Sequence, residues 1–335
     1  MRVDEVSEYT VDIRNLFLQY KVFGGFVKVL NGVNMKVRKG EKVSIVGETG
    51  CGKTTTVKSI LRILPGQAQI TEGEVFFNGE DVLKMNRQRL SHLRASGVSM
   101  IFQDPTMSLN PVFTIGEQMA AVIRYSGVEG ARRKEVQHEL SVKALQETSM
   151  PDPERILMNY PFQLSGGMRQ RVSIAMSLAT PRDLVIADEP TTNLDVTIQD
   201  QVLKILKERV EAKGSSLILI THSLGVARET TDRIYVMYAG NMVETATTEE
   251  LFRNQLHPYT KALMACIPRL SGGGVAEGIP GRLPNYLNPP RGCRFAPRCP
   301  DAMPKCHTEK PEYRDMGDEH LVACFLYGEE GKGNE

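Results

Sequence analysis

The octapeptide Gly47-Glu48-Thr49-Gly50-Cys51-Gly52-Lys53-Thr54 fits the pattern G-x-x-x-x-G-K-S/T. It follows the short apolar run Val43–Val46. It opens a segment, Thr54–Leu64, whose apolar residues Val57, Ile60, Leu61 and Leu64 have helical spacing, with Pro65–Gly66 as its stop. Strand, turn and helix are the context the pattern requires. Its glycines let backbone N–H groups turn inward and cradle phosphate oxygens. The helix that begins at Gly52 aims its positive dipole end at the same phosphates. Lys53 then reaches the β- and γ-phosphates of a nucleotide, and the Thr54 hydroxyl binds Mg²⁺. A chain with this loop is expected to bind ATP and Mg²⁺ and to hydrolyse the ATP.

The rest of the chain supplies strands that end in chemically capable residues. Residues 11–46 read as β-structure, and Val75–Phe77 with Asn78–Gly79 as a strand entering a tight turn. Val98–Phe102 ends at Gln103, Leu184–Ala187 at Asp188–Glu189, and Leu217–Ile220 at Thr221–His222. Residues 110–180 are mostly helical in pattern, and a helix is expected over Ile198–Ala212. Ile234–Met237 and Met242–Val243 flank Gly240–Asn241 as a hairpin. Ligands of α/β sheets bind at the carboxyl ends of strands, so these three strand ends are expected to surround one site. Asp188 is then placed near the metal's water shell. Glu189 polarises the attacking water as a general base. His222 faces the γ-phosphate, and the Gln103 amide touches both Mg²⁺ and that water. Each has a blander reading, as ordinary sheet-end chemistry for the acids and as a surface residue for the histidine.

Leu164-Ser165-Gly166-Gly167-Met168 precedes an amphipathic stretch, Arg169–Ala179. Ser165 can cap that helix, and the glycines leave N–H donors open at its positive end. This is either a capped helix start or a second anion site. One nucleotide does not need two, so a second site would serve another chain or another ligand.

Composition limits the class. Of the 335 residues 41% are hydrophobic and 24% charged, with a net charge of +1, which argues against a protein that coats nucleic acid. No apolar run approaches the ~20 residues needed to cross a bilayer. Met1–Thr10 carries Asp4, Glu5 and Glu8 and does not read as a secretory signal. The expectation is a cytosolic chain, held to a membrane only through other subunits.

The order of phosphate loop, Gln103, Leu-Ser-Gly-Gly, Asp188–Glu189, Asn193-Leu194-Asp195 and His222 resembles the nucleotide-binding subunit of an ABC transporter over roughly residues 10–255. The stretches from Ile101 to Pro111, from His257 to Thr260 and from Cys293 to Pro300 resemble the oligopeptide/dipeptide importer ATPases, which extends the resemblance to nearly the whole chain. It implies an α/β fold: a P-loop ABC nucleotide-binding domain with a mixed sheet core, a β-subdomain and a helical subdomain at about 104–180. This domain covers residues 1–255, and a small Cys-rich extension follows at 256–335, with a linker at about 270–280. Further implied are an ATP site built from Tyr20 (stacked on adenine), Gly47, Glu48, Thr49, Gly50, Cys51, Gly52, Lys53, Thr54 and Thr55. Mg²⁺ is held by Thr54, Gln103 and Asp188, and catalysis falls to Glu189, His222, Gln103 and Lys53. In this family two such domains sandwich two ATPs, and Ser165, Gly166, Gly167 and Met168 cap the nucleotide of the partner. Met168 stands where Gln is usual and Asn193 where Ala is common, and neither removes a phosphate donor. Implied partners are a second ABC ATPase subunit (usually a distinct paralogue), two transmembrane permease subunits and an extracellular solute-binding protein. The helical region between Gln103 and Ser165 would contact the permeases, at the cytoplasmic face of the membrane. The cargo would be peptides or related solutes such as oligosaccharides. Two other classes are a soluble ABC ATPase of translation or DNA repair, and a non-catalytic partner in a heterodimer. The single cassette without a heptad run speaks against the first, and Glu189 with His222 against the second.

Six cysteines remain to be placed. Cys293, Cys299, Cys306 and Cys324 cluster in a Pro-rich segment. Zinc sites favour C-x2–4-C pairs, which are missing here, and four looser thiolates suit an iron–sulfur cluster better. The resembling importer ATPases carry a [4Fe–4S] cluster in this region, with Zn²⁺ or free thiols as the alternatives. Cys51 is expected to gain reactivity from the helix N-terminus. Cys266 is expected on a helix, in the core.

Overall fold

The computed structural model describes residues 7–104, 108–192, 194–267 and 278–328. Asn193, Pro105–Met107 and most of the expected linker lie outside the described residues. The chain forms two compact units, each discontinuous in sequence.

The first unit comprises Val37–Lys42 and Lys84–Ile220, with the residues up to Thr10. Its sheet contains β6 (Val98–Ile101), β7 (Leu184–Asp188) and β8 (Ser216–Thr221), where β6–β7 and β7–β8 pair in parallel. β7 and β8 are buried along their whole length, which is why they read as unbroken apolar runs rather than alternating ones. A helical part follows β6: α3 (Ile115–Arg124), α4 (Lys134–Glu147), α5 (Pro153–Met158) and α6 (Gly166–Leu178), then α7 (Val196–Ala212) after β7. Thr114 and Glu117 form a reciprocal capping box at the start of α3. Asp195 caps α7 by accepting from the Ile198 N–H at 3.0 Å. The helices close over Ile115, Met119, Ile123, Leu145, Ile156 and Val172.

The second unit comprises Val11–Lys36, Val43–Leu83 and the chain from Thr221 onward. β1 (Tyr9–Val22), β2 (Gly25–Arg38), β4 (Ala68–Phe77) and β5 (Glu80–Asp81) make a sheet in the order β2-β1-β4-β5. β3 (Lys42–Val46) pairs in parallel with β9 (Arg233–Tyr238), which pairs antiparallel with β10 (Asn241–Thr247). The expected hairpin at Gly240–Asn241 is this β9–β10 turn. β12 (Leu321–Val322) adds to β10, so the end of the chain is woven into this sheet. Glu244 of β10 is fully buried and secures the junction. It accepts from the backbone N–H groups of Leu256 and His257 at 2.8 and 2.9 Å and pairs with His320 at 2.7 Å. Burial alone would raise its pKa. The bonds from His320 and the two amides outweigh this and lower it.

α1 (Lys53–Leu61) is one turn shorter than its apolar spacing predicts. Arg62 takes a left-handed conformation (φ 49°), and its N–H bonds back to Lys58 and Ser59. The chain therefore leaves the helix before Pro65–Gly66 is reached.

Candidate ATP site

The phosphate loop joins β3 to α1. Gly47 has φ 153°, and a β-carbon there would lie 2.1 Å from the Met237 carbonyl oxygen, so only glycine lets the loop pass β9. Lys53 is buried and its Nζ folds back onto the loop, donating to the Gly47 and Glu48 carbonyls at 2.8 and 3.1 Å. These bonds hold the ammonium against the loop backbone. Thr54 and Thr55 are half-buried on the first turn of α1, and the Tyr20 hydroxyl lies 3.4 Å from the Thr55 hydroxyl. Thr49 and Gly50 are exposed at the tip.

Cys51 corrects an expectation. Its thiol is fully buried, and burial pushes its pKa up, against the smaller opposing pull of Lys53. A buried thiol held neutral is inert, whatever the helix dipole contributes. Its carbonyl is the useful part, accepting from the Gly240 N–H at 2.7 Å. Cys266 also differs from its reading: it ends α10 (Pro258–Ala265) as the C-cap and is only half-buried.

The other unit holds the acidic strand end. Asp188 closes β7 and is buried. Glu189 follows with φ 48°, a left-handed conformation that is uncommon for a non-glycine residue and that concentrates at functional sites. Its N–H donates to the Ile220 carbonyl at 2.9 Å, which fixes the backbone. Its Oε2 accepts from the Gln103 amide and from the Thr192 hydroxyl, each at 3.1 Å. Gln103 and Glu189, 86 residues apart, are thus direct partners. Ser165 caps α6 by accepting from the Met168 N–H at 3.4 Å. Ser165 and Gly166 are exposed, leaving the first turn of that helix open to a ligand. His222 is exposed and directly follows β8.

Three residues from the C-terminal part of the chain brace the phosphate loop. The Glu48 N–H donates to the Tyr259 hydroxyl at 3.0 Å, the Tyr286 hydroxyl donates to the Gly50 carbonyl at 2.9 Å, and Arg298 bonds the Glu48 carboxylate. Tyr259 lies in the His257–Thr260 stretch that carried the resemblance, so that stretch has a local task. Tyr286 has no sequence signal at all.

The four C-terminal cysteines come together. Cys293, Cys299, Cys306 and Cys324 line one cavity of about 20 Å³. The Cys293 N–H donates to the Cys306 carbonyl at 2.8 Å. Burial pushes the thiols of Cys293 and Cys299 up, and that of Cys324 to about 11. Among the described residues no three His, Cys, Asp or Glu side chains are drawn to metal-ligand spacing. The cavity as it stands admits a water-sized body, so a cubane would require the thiols to spread. Four thiols in one cavity are the donor set that such a group takes. Arg294, next to Cys293, is buried but does not line this cavity: its Nη1 donates to the Ala239 carbonyl at 2.6 Å and its guanidinium lies over the Tyr286 ring.

Comparison with known proteins agrees with this geometry. Residues 30–192 match the ABC transporter family, and residues 243–306 match the oligopeptide/dipeptide transporter C-terminal region. The dipeptide transport ATP-binding protein DppD of Bacillus subtilis (strain 168) is 43% identical over 323 residues, 95% of each chain. The chain belongs to the ATP-binding subunits of the oligopeptide/dipeptide ABC transporters. The oligopeptide transport ATP-binding protein AppD of the same organism is 44% identical over 307 residues, 91% of this chain and 93% of the relative. Among solved structures, a dimer of the ATP-binding cassette MJ0796 in a post-hydrolysis state with ADP and Pi superposes with a TM-score of 0.62. It is 27% identical and covers 71% of this chain and 98% of that one. This member of the ABC transporter ATPases is therefore an ATPase that takes ATP and Mg²⁺. Among the described residues no helix is long and apolar enough to cross a membrane.

Proposed function

We propose that this ABC subunit hydrolyses ATP to power the import of peptides or related solutes, with Glu189 as general base. The observation that carries the catalytic reading is the Gln103–Glu189–Thr192 constellation beside a buried Asp188. Gln103 orients the Glu189 carboxylate, Glu189 takes a proton from the attacking water, and Asp188 with Thr54 and Gln103 holds Mg²⁺. Lys53 and the loop amides neutralise the phosphates, His222 contacts the γ-phosphate, and Tyr20 stacks on adenine. The ATPase domain spans residues 1–255, with a helical subdomain at about 104–180 and an extension at 256–335.

Ser165, Gly166, Gly167 and Met168 complete the site of a second ATPase subunit. The exposed first turn of α6 and the dimeric assembly of the MJ0796 cassette support this. Turnover per subunit should therefore rise with protein concentration in a dilution series followed by phosphate release. Brisk, concentration-independent turnover by a proven monomer would overturn it.

Two transmembrane permease subunits and an extracellular solute-binding protein complete the importer, and this chain sits peripherally at the cytoplasmic face. Val112, Tyr125, Met158 and Phe162 of the helical part are exposed apolar side chains, and Tyr125 also lines a groove of about 480 Å³ between α3 and α4. Such a face suits an apolar permease helix. Co-purification is the test: permease subunits support the assignment, and ribosomes or DNA would refute it.

Cys293, Cys299, Cys306 and Cys324 would hold a [4Fe–4S] cluster, supported by their shared cavity. The cluster would cross-link a segment too small to build its own core. Purified anaerobically, the chain should contain iron and sulfide, and Cys306→Ser should lose both. Zinc without iron would replace the cluster by a zinc site.

A further inference from the structure

An acid inside a loop built to hold phosphates is an electrostatic contradiction. Glu48 is the second residue of the phosphate loop, and its backbone is already committed. Its N–H donates to Tyr259, and its carbonyl accepts from Lys53. Its carboxylate is held by Arg298, whose Nη1 lies 3.0 Å from both Oε1 and Oε2. The Arg298 side chain is only 5% exposed. The rest of its guanidinium is employed as well. Nη2 donates to the Ile279 carbonyl at 3.0 Å, Nε to the Pro280 carbonyl at 2.8 Å, and Nη1 also reaches the Tyr238 hydroxyl at 3.3 Å. With all three nitrogens bonded, the cation cannot swing away from Glu48. Arg298 ends a short turn, Ala296–Arg298, and is followed directly by Cys299. Tyr286, from the same C-terminal segment, adds a second tether at Gly50.

We propose that Arg298 is a positioning residue of the ATP site: it neutralises Glu48 and holds it off the phosphates, so that ATP affinity depends on the C-terminal segment. This rests on the assignment of Gly47–Thr54 as the ATP loop. Without Arg298 the Glu48 carboxylate faces the same loop amides as the triphosphate and opposes it through space. The segment after residue 278 thus supplies the charge that offsets Glu48.

The test is equilibrium binding of a fluorescent N-methylanthraniloyl-ATP with Mg²⁺ to the full-length chain. Arg298→Gln keeps a hydrogen-bonding side chain but removes the charge, and it should weaken binding about tenfold at low salt, and less at high salt. Adding Glu48→Gln should restore affinity to within about threefold of wild type, because the repulsion is gone. Arg298→Lys keeps the charge without the fork and should also stay within about threefold. A merely structural Arg298 would show no such rescue, since Glu48→Gln does not replace its bonds to Ile279 and Pro280. Arg298→Gln binding within twofold of wild type, or an Arg298→Gln/Glu48→Gln double variant no tighter than Arg298→Gln, would overturn the proposal. If Arg298→Gln does not fold, a tenfold loss in Arg298→Lys does the same. Lys53→Ala controls the underlying assignment: if it binds as wild type, the loop itself has been misassigned.

Discussion

Replacing Glu189 with Gln should lower ATP turnover by about 10²–10⁴-fold while MgATP binding persists. The substitution keeps the shape of the side chain. It can still accept from the Gln103 amide and the Thr192 hydroxyl, which both reach Oε2 in the wild type. The left-handed backbone at φ 48° is held by the Ile220 carbonyl and needs no change. What disappears is the carboxylate that we propose takes a proton from water. Phosphate release should therefore collapse, and binding of a fluorescent ATP analogue should stay within a few-fold of wild type. Undiminished phosphate release would remove Glu189 from the role of general base. Equal loss of binding and turnover would make it a structural residue instead.

Gly47→Ala should abolish nucleotide binding and destabilise the fold by on the order of 3 kcal/mol. The added methyl would lie 2.1 Å from the Met237 carbonyl oxygen, far inside contact distance, at a φ of 153° that side chains rarely adopt. Backbone faces backbone there, so no side chain can rotate aside. The loop must lift from β9, and the Lys53 bond to the Gly47 carbonyl goes with it. Gly50→Ala is the matched comparison. Gly50 also has positive φ, 82°, but open space surrounds its would-be β-carbon. It should cost only backbone strain of about 1–3 kcal/mol and retain most binding. Unfolding midpoints and nucleotide titrations of the two variants check this. Equal behaviour would show that the close approach to β9 does not govern the loop.

The elements that sequence alone identified share one property: their signal is local. The phosphate loop is a run of eight residues whose types follow from the backbone they must adopt. β7 and β8 were legible because strands buried on both faces need unbroken apolar runs. The Ser165 cap sits where a short polar side chain reaches an N–H three residues on. The end of α1 was read too late because Arg62 leaves the helix in a left-handed conformation, which apolar spacing does not report. The reactivity expected of Cys51 failed for a related reason. Position at a helix start is visible in sequence, but full burial is not.

The residues that brace the loop belong to the other kind. Glu48 and Arg298 are 250 positions apart, Gly50 and Tyr286 are 236 apart, and Glu48 and Tyr259 are 211 apart. No periodicity links such pairs, because they meet only when the C-terminal segment packs beside β9 and β10. The sequence by itself determined that this chain carries a phosphate-loop pattern, a strand that ends in the acids Asp188 and Glu189, and four clustered thiols. Local backbone geometry and side-chain chemistry suffice for each of these. Only the tertiary structure decided that the thiols line one cavity, that Gln103 meets Glu189, and that the acid in the phosphate loop is answered by Arg298. Those are meetings of distant segments, set by the packing of sheets and by the burial of charge.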